Sequence, residues 1–394
     1  MSQVIMIGCD LHDRSMLLCY SIGNSQPQQL TYQNDRRGRG QLIHRLQSLA
    51  AKHKAERVVL AYEASGQGYG LSDQLHDEGI ECYVLSPTHL PKTPKSAKLK
   101  TDAKDAQMLL EQVRGFVLAG NRLPVVWTPP QRLRDDRELV RARIDAGDET
   151  TRVKLKILSM LKRRGIAKPT WYSGRWTKRY VNWLRQEVIA NLELTVAPVL
   201  ERLVDRYELY HQEQVKLEKA IRSLAQTPRY KAGFNELRKI PGVGLLTAIT
   251  FLTEMGDLNR FDNRRQVAAY LGLCPSSFES GGPGQDRKGR ITRQGPPRLR
   301  KVLCQAVWVS IRCSSQSRAA YERIKQGQSK RTKKAVVALM RQLGIKMWHR
   351  AMSCGVSGEL SGRGFPDECS TSARAQQRER PSAPPSLQPQ GCAV

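Results

Sequence analysis

Apolar residues along the first ninety positions fall in short runs broken by polar or glycine-rich stretches. Residues 4–22 hold two such runs, separated by the polar stretch Asp10–Ser15, and predict two strands. Gln29–Gln33 predicts a third, weaker strand, and Gln41–His53 carries apolar residues at helical spacing. Arg57–Tyr62 (RVVLAY) predicts a continuous strand of the buried type. Gly66, Gly68 and Gly70 follow it, then a helix to about Glu78. Glu81–Leu85 is the next strand, closed by Ser86 and Pro87, and a helix begins near Thr101 after a Lys- and Pro-rich loop. The order is β-β-β-α-β-α-β-α. Three strands in hairpin sequence followed by helix-alternating strands predict an α/β domain over residues 1–125, a mixed sheet with helices on its faces.

Beyond it the period changes. Residues 126–228 read as a helical spacer, with charged helical runs over Gln131–Leu161 and Ala190–Ala225 that suit either a coiled-coil-like element or packing on their own domain. Pro169–Trp183 interrupts them with Trp171, Tyr172, Trp176, Tyr180 and Trp183 set among Arg and Lys. Such aromatics either stack on bases or form a small core. Residues 229–352 predict a mainly α domain. Leu237–Ile240, the turn Pro241-Gly242-Val243-Gly244 and Leu245–Met255 have the form of a helix-hairpin-helix, with further helices at Leu299–Arg312 and Lys333–Arg350. Residues 353–394 shift to Ser, Pro, Gly, Gln and Arg and predict a disordered tail.

Charge narrows the function. Of 394 residues, 65 are Lys or Arg against 36 Asp or Glu, a net charge of +29. A surface this basic calls for a polyanion, and nucleic acid is the commonest one. No segment combines a basic face with a Trp/Leu face, which argues against a membrane surface. The nine cysteines contain no C-x-x-C pair, so neither a zinc ribbon nor a disulfide framework is indicated. With no apolar run of spanning length, the expected setting is the reducing cytoplasm, on the nucleoid.

Four acids stand where chemistry needs them. Asp10 ends the first strand (IMIGCD) and Glu63 stands in the same position after RVVLAY. On adjacent parallel strands these carboxylates lie side by side and repel unless a cation intervenes. Asp102 and Asp105 are three apart at a helix start and project from one face. Helix capping explains either of the latter alone, but not the full set. Oxygen-only donors suit Mg²⁺ or Mn²⁺ rather than zinc. The pattern GCDLH, YEASGQGYG and KTDAKDA resembles the DEDD-type, RuvC-like domain of the insertion-sequence transposase family numbered one hundred and ten, which includes related site-specific DNA invertases. The resemblance implies an RNase H/RuvC-like fold, with Asp10, Glu63, Asp102 and Asp105 as metal ligands. Asp13 stands where that family often has a basic residue.

The resemblance extends over residues 4–350. In AAYLGLCPSSFESGGPGQDRKGRITRQGPPRLR (residues 268–300) it places Ser280 at the family's essential serine, with Ser276 and Ser277 as weaker neighbours. Cations crowd beside this serine (Arg287, Lys288, Arg290, Arg293, Arg298 and Arg300) and suit a scissile phosphate. Gly281 and Gly282 let a DNA backbone approach. The resemblance implies a covalent phosphoserine intermediate fed by metal ions at the carboxylates, so the two domains must meet within a chain or across a dimer. It implies that the Gly242–Gly244 turn binds DNA phosphate through its backbone N–H groups. It also implies a non-coding guide RNA and a homo-oligomer, dimer or tetramer. Two rivals make different demands: a RuvC-like junction endonuclease uses water and needs no Ser280, and a non-catalytic binder needs neither the serine nor the acids.

Overall fold

The computed structural model describes residues 3–91, 101–278 and 287–355. It divides into two compact units between Thr128 and Pro129. Lys100, Ser280 and the tail beyond Gly355 lie outside these stretches.

The first unit contains β1 (Gln3–Leu11), β2 (Ser15–Ile22), β3 (Gln28–Gln33), α1 (Arg36–His53), β4 (Ala55–Glu63), α2 (Gly70–Asp77), β5 (Glu81–Leu85) and α3 (Asp102–Ala119). Its five-stranded sheet has the order β3-β2-β1-β4-β5. The hairpin strands β1, β2 and β3 pair antiparallel, whereas β4 lies parallel to both β1 and β5. This is the mixed α/β sheet that the strand and helix order predicts.

Period-two alternation sends neighbouring residues to opposite faces. Ile5, Ile7, Cys9, Leu60 and Tyr62 pack with Leu42, Leu46 and Leu49 of α1 and with Leu71 and Leu75 of α2. Met6, Val59, Ala61, Tyr83 and Leu85 pack instead with Ala106, Leu109, Leu110 and Val113 of α3. Burial pushes the Cys9 thiol far above its ordinary value and that of Cys82 up to about 12, so both act as small hydrophobes. At Gly8 the backbone of α3 packs directly against β1. A Cβ there would meet the Ala106 carbonyl oxygen and the Leu110 amide nitrogen, each at 2.2 Å. Helix α1 begins five residues before the predicted Gln41, because the Asp35 side chain accepts from the Gly38 amide at 2.7 Å and caps it.

The second unit is mainly α. Helices α4 (Gln131–Arg163) and α6 (Ala197–Ala225) form a long antiparallel pair, crossed by the Arg143–Glu218 ion pair at 3.4 Å. Between them lie α5 (Lys178–Trp183) and a π turn, Leu184–Val188. The aromatic insert is a core. Tyr180 is fully buried, stacked on Tyr172 at 4.2 Å and on Trp183 at 5.4 Å, with Trp176 edge-on at 5.1 Å. Trp171 lies at its rim beneath the Arg179 guanidinium, 4.2 Å from the ring centre.

The remaining elements are α7 (Pro228–Arg238), α8 (Leu245–Met255), α9 (Arg264–Tyr270), β6 (Pro275–Phe278), β7 (Arg287–Ile291), α10 (Pro297–Cys313), α11 (Ser315–Lys325) and α12 (Thr332–Met352). Buried charges tie α4 to them. Asp136 accepts from Arg229 at 2.7 and 3.0 Å and from the Tyr230 hydroxyl at 2.8 Å. Arg141 grips the buried Glu254 of α8 at 2.8 and 3.1 Å. Such pairs fix how helices seat, because an unpaired buried carboxylate is costly. No described helix is long and apolar enough to cross a membrane.

Candidate functional site

Register places the acids. Cys9 pairs with Tyr62 on the parallel strands β1 and β4, so Asp10 and Glu63 are the next residues along each. Both share the side of the sheet occupied by Met6, Val59 and Ala61, which is the side covered by α3. Asp102 and Asp105 stand in the first turn of that helix. The close packing at Gly8 holds this turn over the end of β1. All four acids therefore belong to one end of one sheet face.

Within that group the structure brings Asp10 and Asp102 together around a residue that the sequence reasoning passed over. His12 Nε2 lies 3.1 Å from Asp10 Oδ2 and 3.5 Å from Asp102 Oδ1. One donor atom from each of Asp10, His12 and Asp102 falls within 4.8 Å of the others. The signal for His12 was its two-residue step from Asp10, which keeps both on one face of an extended chain. Burial holds the Asp10 carboxyl above the usual aspartate range. His12 opposes this, while Asp105 and Asp102 add to it by repulsion. Asp105 is half-buried, whereas Glu63 and Asp102 are exposed. Asp13 is held apart from the group by a hydrogen bond from the Gln67 side chain, in the turn after Glu63.

The serine motif lies on the second unit. β6 and β7 pair antiparallel, and the segment between them, with Ser280, Gly281 and Gly282, falls outside the described residues. Ser276 donates its hydroxyl to the Arg290 carbonyl at 3.0 Å, which occupies it within the hairpin. Arg287 and Lys288 open β7, and Arg290 and Arg293 are exposed. Arg298 pairs with Asp145 of α4 at 2.7 Å. Arg300 donates to the carbonyls of Leu271, Gln294 and Gly295 at 3.3, 3.2 and 3.0 Å, stapling the base of the hairpin. The Pro241–Gly244 turn does join two helices, α7 and α8. Gly242 has φ +87°, and a Cβ there would lie 2.3 Å from the Ala306 carbonyl oxygen of α10. A packing joint thus accounts for this glycine. Gly244 precedes the first turn of α8 in extended conformation.

Comparison with known proteins gives matches to both units. Residues 7–165 match a transposase family model of the DEDD insertion-sequence type, and residues 235–322 match the model described as Transposase IS116/IS110/IS902 family. The y4qE protein of Sinorhizobium fredii, classed among transposases, is 32% identical over 255 residues, covering 65% of this chain and 59% of its own length. The transposase for insertion sequence element IS1533 of Leptospira borgpetersenii is 26% identical over 313 residues, covering 78% of this chain and 86% of its own length. A solved structure of T. thermophilus RuvC with a Holliday junction substrate is 14% identical, covering 34% of this chain and 88% of that one at a TM-score of 0.17. At that score the fold rests on the strand order and register above. With one family's models matching the carboxylate-bearing unit and the serine-bearing unit alike, the chain belongs to the DEDD insertion-sequence transposases, a family of enzymes that act on DNA.

Proposed function

We propose that this chain cuts and rejoins DNA to mobilise its own insertion sequence, with divalent cations held by Asp10, Glu63, Asp102 and Asp105 and with Ser280 as nucleophile. The observation that supports the reading is the position of the four acids at one end of the sheet face covered by α3, with Asp10 and Asp102 grouped around His12. Their donor set fits a hard cation: oxygen ligands, mutually repelling, at the rim of a rigid sheet. Mg²⁺ or Mn²⁺ bound there supplies charge stabilisation for the attacking and leaving oxygens of a phosphodiester. The protein's share is to hold those carboxylates in register on β1, β4 and α3.

In the serine step, the Ser280 oxygen forms a bond to phosphorus as one P–O bond of the DNA strand breaks. The serine's proton ends on the departing oxygen. One phosphodiester replaces another, so the energy to rejoin is kept, and attack by a second strand end regenerates the serine. The exposed Arg290 and Arg293 stand near the base of the serine hairpin, where cations favour phosphate. The α7–α8 turn, with Gly242 and Gly244, would add a further backbone contact to phosphate. A non-coding guide RNA and a homo-oligomer complete the reading, and the +29 charge supports a nucleic-acid partner.

Denaturing electrophoresis with element-end DNA, Mg²⁺ and candidate RNA tests it. Wild type should give a covalent protein–DNA adduct, and Ser280→Ala and Asp102→Ala should give none. Cleavage that survives in Ser280→Ala would favour the rival junction endonuclease, which uses water.

A further inference from the structure

His12 lies outside the four-carboxylate set, yet its imidazole bridges two of its members, Asp10 and Asp102. Its backbone is pinned on both sides. The amide donates to the Ser15 carbonyl at 2.9 Å. The carbonyl accepts from the Asn34 side chain at 2.6 Å, and Asn34 in turn accepts from Arg39 Nε at 2.8 Å. The backbone of the turn after β1 is thus held in place at His12, and the imidazole reaches Asp10 and Asp102 from it.

The spacing fits a coordination sphere. Cis donors on an octahedral cation with bonds of about 2.1 Å stand about 3.0 Å apart, and trans donors about 4.2 Å. His12 Nε2 lies 3.1 and 3.5 Å from one oxygen of each aspartate, and the three donor atoms fall within 4.8 Å of one another. We infer that His12 is a nitrogen ligand of the cation that Asp10 and Asp102 bind. This rests on the carboxylate reading above and deepens it: the site is mixed oxygen and nitrogen. Imidazole suits the borderline transition ions better than Mg²⁺, which favours oxygen. The inferred preference is therefore Mn²⁺ over Mg²⁺.

The test uses the full chain with Mn²⁺ alone, without DNA. Pulsed electron paramagnetic resonance of the bound Mn²⁺ should show ¹⁴N modulation from a directly coordinated imidazole, and His12→Ala should abolish it. His12 is 46% exposed at its side chain, so the variant should fold, and the wild-type spectrum needs no variant at all. By titration, His12→Ala should weaken Mn²⁺ binding about tenfold and Mg²⁺ binding less than about threefold. If Mn²⁺ binds and Asp102→Ala weakens it, but the wild type shows no ¹⁴N modulation, or the modulation persists in His12→Ala, the inference is overturned and the carboxylate reading stands. If Asp10→Ala combined with Asp102→Ala leaves Mn²⁺ binding unchanged, both are overturned together.

Discussion

Replacing Gly8 with alanine puts one methyl group between β1 and α3. The new carbon falls 2.2 Å from the Ala106 carbonyl oxygen and 2.2 Å from the Leu110 amide nitrogen, where ordinary contact begins at about 3.4 Å. Both obstacles are helix backbone, so neither can rotate aside. Helix α3 must retreat from the strand by about 1.2 Å. Overpacking of a core interface costs about 1–3 kcal/mol, and this contact belongs at the upper end because no side chain can give way. The chemistry should suffer more than the fold. Asp102 and Asp105 travel with α3, while Asp10 and Glu63 stay on the strands. A bound metal tolerates ligand shifts of only about 0.2 Å, and a misplacement of about 1 Å costs about 10²-fold in rate. Urea denaturation and Mn²⁺ titration on the same preparations would measure both effects. Gly40→Ala in α1 is the control, since a Cβ there meets nothing within 4 Å, and it should leave metal binding alone while stabilising by about 0.4–1 kcal/mol. A Gly8→Ala protein with the wild-type urea midpoint and wild-type Mn²⁺ affinity would refute the proposed seating of α3.

Three further outcomes follow from the packing. Arg141→Met leaves the buried Glu254 carboxylate without its bidentate partner, and should cost about 3 kcal/mol. A double-mutant cycle with Glu254→Gln should recover at least about 1 kcal/mol as coupling, and simple additivity would contradict the pairing. Gly242→Ala should destabilise by about 2 kcal/mol or more through its positive φ and its clash with α10. Gly244→Ala, whose nearest neighbour is the Arg238 side chain at 3.8 Å, should cost less than about 1 kcal/mol by thermal melting. Arg57 holds the Glu81 carboxyl below the usual glutamate range through hydrogen bonds of 2.7 and 2.9 Å. A depressed carboxylate adds stability above its unfolded value and loses it as pH falls through the folded one. Arg57→Gln should therefore lower the melting temperature at pH 7, and the gap should close as pH drops below about 4.3. A gap that widens in acid would contradict the assignment.

Much of this architecture was legible because local pattern and tertiary role agree. Val58–Tyr62 is apolar on every residue because β4 lies inside a sheet covered on both sides, and the observed strand, Ala55–Glu63, extends it by only a few residues. Asp10 and Glu63 were legible as a pair for the same reason: each is the first acid after a buried run, and parallel register sets such positions side by side. What escaped depends on contacts between distant parts of the chain. β7 (RKGRI) carries mostly charge, so neither its alternation nor its composition marks it as a strand, and only pairing with β6 makes it one. Arg298 and Arg300 read as free cations for phosphate, yet one reaches Asp145, 153 positions earlier, and the other closes the base of a loop onto carbonyls. His12 is the sharpest case. Two residues from Asp10 it is one polar residue among several, and its meaning appears only when α3 brings Asp102, ninety positions later, to within 3.5 Å of its ring. A sequence displays which carboxylates stand at strand ends; the donor that joins them across elements is set by helix placement, which here turns on the missing side chain of Gly8.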